Sequence, residues 1–135
     1  MKKMRIWFFC VGAWYILNLI GLLPPLMQSQ LPDFYPGLGV APENIAYQAL
    51  VDVWFLFGLL YGTVGIGLLL AARSPVENRL LITLVVLIET IPGILWDIYS
   101  LTRALTPPSF SYFFMVVHVL IIGTACWVYP RKTVQ

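Results

Sequence analysis

Four residues able to exchange protons or bind polar ligands stand inside otherwise apolar stretches. They are Asp52 in ALVDVWF, Glu89 in VVLIETIPG, Asp97 in ILWDIYS and His118 in MVVHVLI. Asn18, in YILNLIG, is an uncharged companion. Carboxyl and imidazole groups are the side chains that relay protons, pair with cations and orient polar ligands in apolar surroundings. Glu89 carries the most information because Thr90-Ile91-Pro92-Gly93 comes directly after it. Pro92 has no amide hydrogen, so the Ile88 carbonyl loses its helical partner, and Gly93 eases bending there. A carboxyl beside a freed carbonyl is half of a site for a proton, a cation or a polar ligand, and His118 would complete a relay. The structural alternative is that Glu89 only ties a neighbouring helix through Asn18 or His118.

Asp97 lies eight residues after Glu89, a rotation of about 80 degrees on an α-helix, so the two can border one cleft without stacking. Trp96 and Tyr99 flank it, and Arg103, six residues on, offers a purely interfacial pairing instead. Asp52 reads either as a site residue or as a helix-start residue at an interface. A lone histidine such as His118 reads either as a relay or as an interhelical hydrogen bond. The candidate ligand-binding set is Glu89, Asp97, His118, Asp52, Asn18 and Trp96.

The elements that must hold these residues are membrane helices. Of 135 residues, 60% are hydrophobic and only 10% charged, against about 45–50% and about 25% in soluble domains. So short a chain cannot bury that much apolar surface, and disordered chains are polar. A net charge of +2 leaves no clustered basic face for nucleic acid. A spanning helix needs about 20 apolar residues. Four segments qualify, at about 6–27, 46–72, 80–102 and 110–129, forming one all-α four-helix domain. The first is read as an uncleaved span ending at Pro24-Pro25. Ser74-Pro75-Val76-Glu77 predicts a capping box opening the third helix at Pro75, and Pro42-Glu43 can open the second early.

Lys2, Lys3, Arg5, Arg73, Arg79, Arg131 and Lys132 all fall on one side of this arrangement, and Arg103 alone on the other. Cytoplasmic loops collect Lys and Arg, so both termini are expected in the cytoplasm, with multiple passes through an inner membrane. At about 1.5 Å per residue from the outer helix ends, Asp52 and Asp97 lie about 8–9 Å deep, His118 about 12 Å, Asn18 about 13 Å and Glu89 about 20 Å. The ionisable residues of the interior therefore crowd its outer half.

Catalytic and metal motifs are lacking: no ligand-spaced Cys or His pair, no phosphate loop, no nucleophile elbow. No cofactor is expected. Cys10 and Cys126 read as buried small hydrophobes in a reducing compartment. Gly58-Leu59-Leu60-Tyr61-Gly62, with Gly65 just beyond, forms a small-residue face. It serves packing within the bundle, or contact with a second copy or a partner membrane protein.

Val11-Gly12-Ala13-Trp14-Tyr15, Val51-Asp52-Val53-Trp54, Ala71-Ala72-Arg73-Ser74-Pro75 and Glu89 with Gly93 occur together here. In these the chain resembles the BphX-like proteins, small four-helix bacterial membrane proteins found among aromatic-degradation genes, and more loosely the DoxX-like proteins. The resemblance covers nearly the whole chain. It implies the four-helix fold and a bacterial inner membrane, and carries over no catalytic residue. The leading functional reading is a polar pocket in the outer half that binds or moves a small apolar or protonatable compound, or a proton, with Glu89 central. Its rivals are an accessory subunit of a larger membrane complex and a membrane enzyme acting on a lipid or quinone-like substrate.

Overall fold

The computed structural model describes residues 1–129, so Arg131 and Lys132 lie outside the described residues. Its elements are α1 (Lys2–Gly21), α2 (Pro24–Phe34), α3 (Ile45–Ala71), α4 (Leu80–Ile88), a π-helical turn (Glu89–Ile94), α5 (Leu95–Thr102) and α6 (Pro108–Val128). The π turn joins α4 and α5 into one span, Leu80–Thr102. With α1, α3 and α6 this makes four helices long and apolar enough to cross a membrane. The expected all-α four-span architecture is what the chain adopts.

The glycine face of α3 is filled by α1. A Cβ on Gly58 would stand 2.9 Å from Leu22 Cβ, one on Gly62 2.5 Å from a Leu19 methyl, and one on Gly65 2.9 Å from the Gly12 carbonyl oxygen. In lipid, where apolar contact gives helices no preference for each other, such close backbone approach is a main source of helix association. All three glycines are buried. The face expected to pack within the bundle or against a second chain is therefore covered from inside.

At the end carrying Arg5 and Arg73, α1 is tied to the end of α3 and to α6. Arg5 Nε donates to the Ala72 carbonyl at 3.0 Å, and Lys3 Nζ sits 4.2 Å above the Trp127 ring. The half of the bundle next to this basic end is a solid apolar core. Phe8, Leu68 and Val85 there have no exposed surface, and Ile82 and Ala125 pack with them.

Several local expectations are corrected. Pro24-Pro25 starts a helix instead of ending one, because proline fits the first turn, where its missing amide costs nothing; the helix it opens is α2. Its Met27 and Leu31, four residues apart, pack on Tyr47 and Val51 of α3, also four apart. Pro32 lies inside α2 and cannot donate to the carbonyl of Gln28. The Tyr47 hydroxyl donates to that carbonyl at 2.5 Å, so the defect in one helix is repaired by the next. α3 begins at Ile45, later than Pro42-Glu43 would start it, with the Asn44 side chain accepting from the Ala46 amide at 2.8 Å. The capping box at Ser74 does not form: residues 75–79 make successive turns and α4 starts at Leu80. Cys10 and Cys126 are exposed free thiols, not buried ones. A membrane helix can be apolar all round, so apolar character does not select the inward face.

Candidate functional site

The site grows out of the π turn. The Leu95 amide donates to the Thr90 carbonyl, five residues back instead of four. A π turn thus holds about one extra residue, so the helix beyond it lags by about 100 degrees. That lag cancels the offset of about 80 degrees expected between Glu89 and Asp97 to within about 20 degrees. Both carboxyls are brought to one face, where each meets a different nitrogen of His118. Glu89 Oε2 shares a hydrogen bond with His118 Nδ1, and Asp97 Oδ2 lies 3.6 Å from His118 Nε2. The acids are only 2% and 6% exposed. Asp97 does not pair with Arg103.

Two glycines make this geometry possible. A Cβ on Gly93 would stand 2.8 Å from His118 Nδ1 and Cε1, so α6 can bring its imidazole alongside the π turn only because position 93 has no side chain. On the opposite side a Cβ on Gly65 would stand 3.0 Å from Tyr15 Cβ. The same close packing of α1 on α3 sets Tyr15 where its hydroxyl donates to Glu89 Oε1. The result is a line of polar groups, Tyr15–Glu89–His118–Asp97, drawn from three spans and nearly sealed from solvent.

These groups border a cavity of about 120 Å³. Trp14, Phe34, Trp54, Tyr61, Phe110 and Phe114 supply aromatic walls, and Asn18, Ser111 and Thr106 supply polar edges. On the side of the basic end the cavity stops at the apolar core. At the other end Phe34 of α2 and Phe110 of α6 meet with ring centres 4.5 Å apart. The Ser100, Thr106 and Ser111 hydroxyls join α5 to α6 there through bonds of 2.7 and 3.0 Å. Two buried polar atoms have no hydrogen-bond partner among the described residues: Asp97 Oδ2 and Trp54 Nε1. Buried polar atoms are rarely left so, and an orphan acceptor on a cavity wall marks where a ligand group would be held.

Of the six residues singled out from sequence, Glu89, Asp97, His118, Asn18 and Trp96 line this one cavity. Asn18 does so without reaching Glu89; its amide donates to the Trp14 carbonyl at 2.9 Å. Asp52 is exposed and stands apart from the cavity, about two turns into α3.

The family model described as BphX-like matches residues 1–134. The chain belongs to the BphX-like family. Two relatives, named as uncharacterized BphX-like proteins of Burkholderia cepacia and of Paraburkholderia xenovorans (strain LB400), are each 35% identical over 123 residues. The match covers 91% of this chain and 88% of each relative. No solved structure matches the chain. Membership in the BphX-like family and the four apolar helices agree on a small multi-pass membrane protein.

The residue that sequence reasoning missed in this BphX-like protein is Tyr15. Its signal was its place near the middle of a span. Membrane tyrosines usually occupy the interfaces, and a buried phenol needs a hydrogen-bond partner. Phe34 gave no signal because it lies in α2, whose prolines argue against a helix.

Proposed function

We propose that this protein is a binding protein of the bilayer, holding a small, largely apolar compound with one hydrogen-bonding group in the cavity bordered by Glu89, His118 and Asp97. The observation that carries this reading is the orphan Asp97 Oδ2, on the wall of an otherwise aromatic cavity. Its volume of about 120 Å³ is close to that of an engineered apolar cavity of about 150 Å³ that takes up benzene. The solid core next to the basic end weighs against a continuous proton path across the bundle. Glu89 serves as the anchor that holds His118 against Asp97, with Tyr15 holding Glu89 in turn. The basic residues favour an orientation with both termini in the cytoplasm, which would open the site toward the outer half of an inner membrane.

The test is equilibrium quenching of tryptophan fluorescence by 4-bromobenzyl alcohol, with 4-bromotoluene as the analogue lacking the hydroxyl. Three of the five tryptophans, Trp14, Trp54 and Trp96, line the cavity. Wild type should show saturable quenching by the alcohol. Loss of a hydrogen bond to a charged acceptor costs about 1.5–3 kcal/mol, so Asp97→Asn should weaken it by at least about tenfold. Quenching that rises linearly and identically in both proteins would overturn the reading.

A further inference from the structure

The cavity is closed toward the basic end by core residues and toward the other end by the Phe34–Phe110 contact. One of its lateral sides is the seam between α3 and the π-turn span. The bundle is built as two units: α1 packs along α3 with α2 against it, and α6 packs along the Leu80–Thr102 span. α3 and that span share no comparable contact. In the seam lies an open, largely apolar groove of about 390 Å³. Its floor is made by Trp54 and Tyr61 of α3 and by Pro92 and Trp96 of the π-turn span, and the same four residues are a wall of the inner cavity. The groove's flanks, Val53 and Phe57 on one side and Ile91 and Leu95 on the other, are all exposed on spans that cross the bilayer, so acyl chains contact them. A single layer of four side chains therefore separates the membrane interior from Asp97.

Resting on the pocket reading above, we infer that the ligand enters sideways from the bilayer through this seam, and that it is a membrane-soluble ring compound bearing a hydroxyl. The ring matches the aromatic walls and the apolar groove, and an uncharged molecule crosses the acyl region at little cost. The hydroxyl answers the pairing at the far end. Asp97 Oδ2 and His118 Nε2 are 3.6 Å apart, too far for a direct hydrogen bond. A hydroxyl placed beside both can donate to the carboxylate while accepting from the imidazole N–H. The proline in the floor favours such a passage. The π turn around Pro92 leaves this span without a regular hydrogen-bond ladder where it borders α3, and such turns occur often at functional sites.

The test is stopped-flow tryptophan quenching by 4-bromobenzyl alcohol, with the protein in lipid nanodiscs. Leu95→Trp fills the groove without touching the cavity, and Phe57→Ala widens it. Residues met only in passage alter association and dissociation rates together, so Leu95→Trp should slow both by about tenfold with the equilibrium constant unchanged. Phe57→Ala should accelerate both. If rates are unmoved by Leu95→Trp and by Phe57→Ala while binding persists, the lateral route is wrong and the pocket reading stands. If wild type shows no saturable quenching, the pocket reading itself falls.

Discussion

Replacing Gly93 by alanine tests how the site is assembled. The added Cβ would stand 2.8 Å from His118 Nδ1 and Cε1 and 3.0 Å from Nε2. Carbon atoms pack at about 3.5–4.0 Å, so the ring must retreat by about 1 Å. One of the two atoms driven back hardest is Nδ1, which bonds Glu89, so retreat stretches or breaks that bond. Overpacking of this kind costs about 1–3 kcal/mol, and losing a hydrogen bond to a charged group costs about 1.5–3 kcal/mol. Together these predict a loss of about 2.5–6 kcal/mol. Gly67→Ala is the control, because a Cβ there meets nothing within 4 Å. It gains the same helical propensity, about 1 kcal/mol, without a clash. Reversible unfolding in mixed micelles measures the difference between the two variants. His118 is the only histidine, so ¹⁵N-histidine NMR reports this one ring: Gly93→Ala should abolish the downfield proton of the Glu89–His118 bond, and Gly67→Ala should keep it. Equal stability of the two variants within about 0.5 kcal/mol, with the proton signal intact in both, would refute the reasoning.

Two further outcomes are expected from the fold. Tyr47→Phe removes the hydroxyl that donates to the Gln28 carbonyl, which Pro32 cannot reach as a donor, and should cost about 1–3 kcal/mol in the same unfolding measurement. Ala104, with φ of 50°, occupies the left-handed position after α5 that favours glycine. Ala104→Gly should therefore stabilise by about 0.5–1 kcal/mol by relieving steric strain at the helix end, read as a later unfolding midpoint.

Much of this was legible in the sequence because hydrocarbon is a severe filter. Twenty-residue apolar runs and the scarcity of charge identify the four spans, and the cost of placing Glu89, Asp97 and His118 in lipid marks them as residues that must meet one another. Their actual meeting was less legible. Pro92 and Gly93 predicted a bend, but the register change that turns Asp97 onto the face of Glu89 depends on where the hydrogen-bond ladder skips a residue. That is decided by packing against His118, not by local propensity. Tyr15 carries no charge, so no insertion cost pointed to it. Asp52 shows the opposite error: it is exposed, and its depth from the outer helix end is too shallow to require a partner. α2 was hidden by its prolines, which read as breakers although one opens the helix and the carbonyl freed by the other is answered by Tyr47. Cys10 and Cys126 were misplaced because in a membrane the outward face is apolar too.

The central claim is that Asp97, held by the Tyr15–Glu89–His118 line, receives a ligand in the aromatic cavity. Bromine anomalous diffraction from crystals grown in lipid and soaked with 4-bromobenzyl alcohol tests it most directly. The account predicts a bromine peak inside the cavity walled by Trp14 and Phe114, with the alcohol oxygen within hydrogen-bond distance of Asp97. Bromine found only on the lipid-facing surface, with the cavity collapsed or Glu89 turned away from His118, would contradict it.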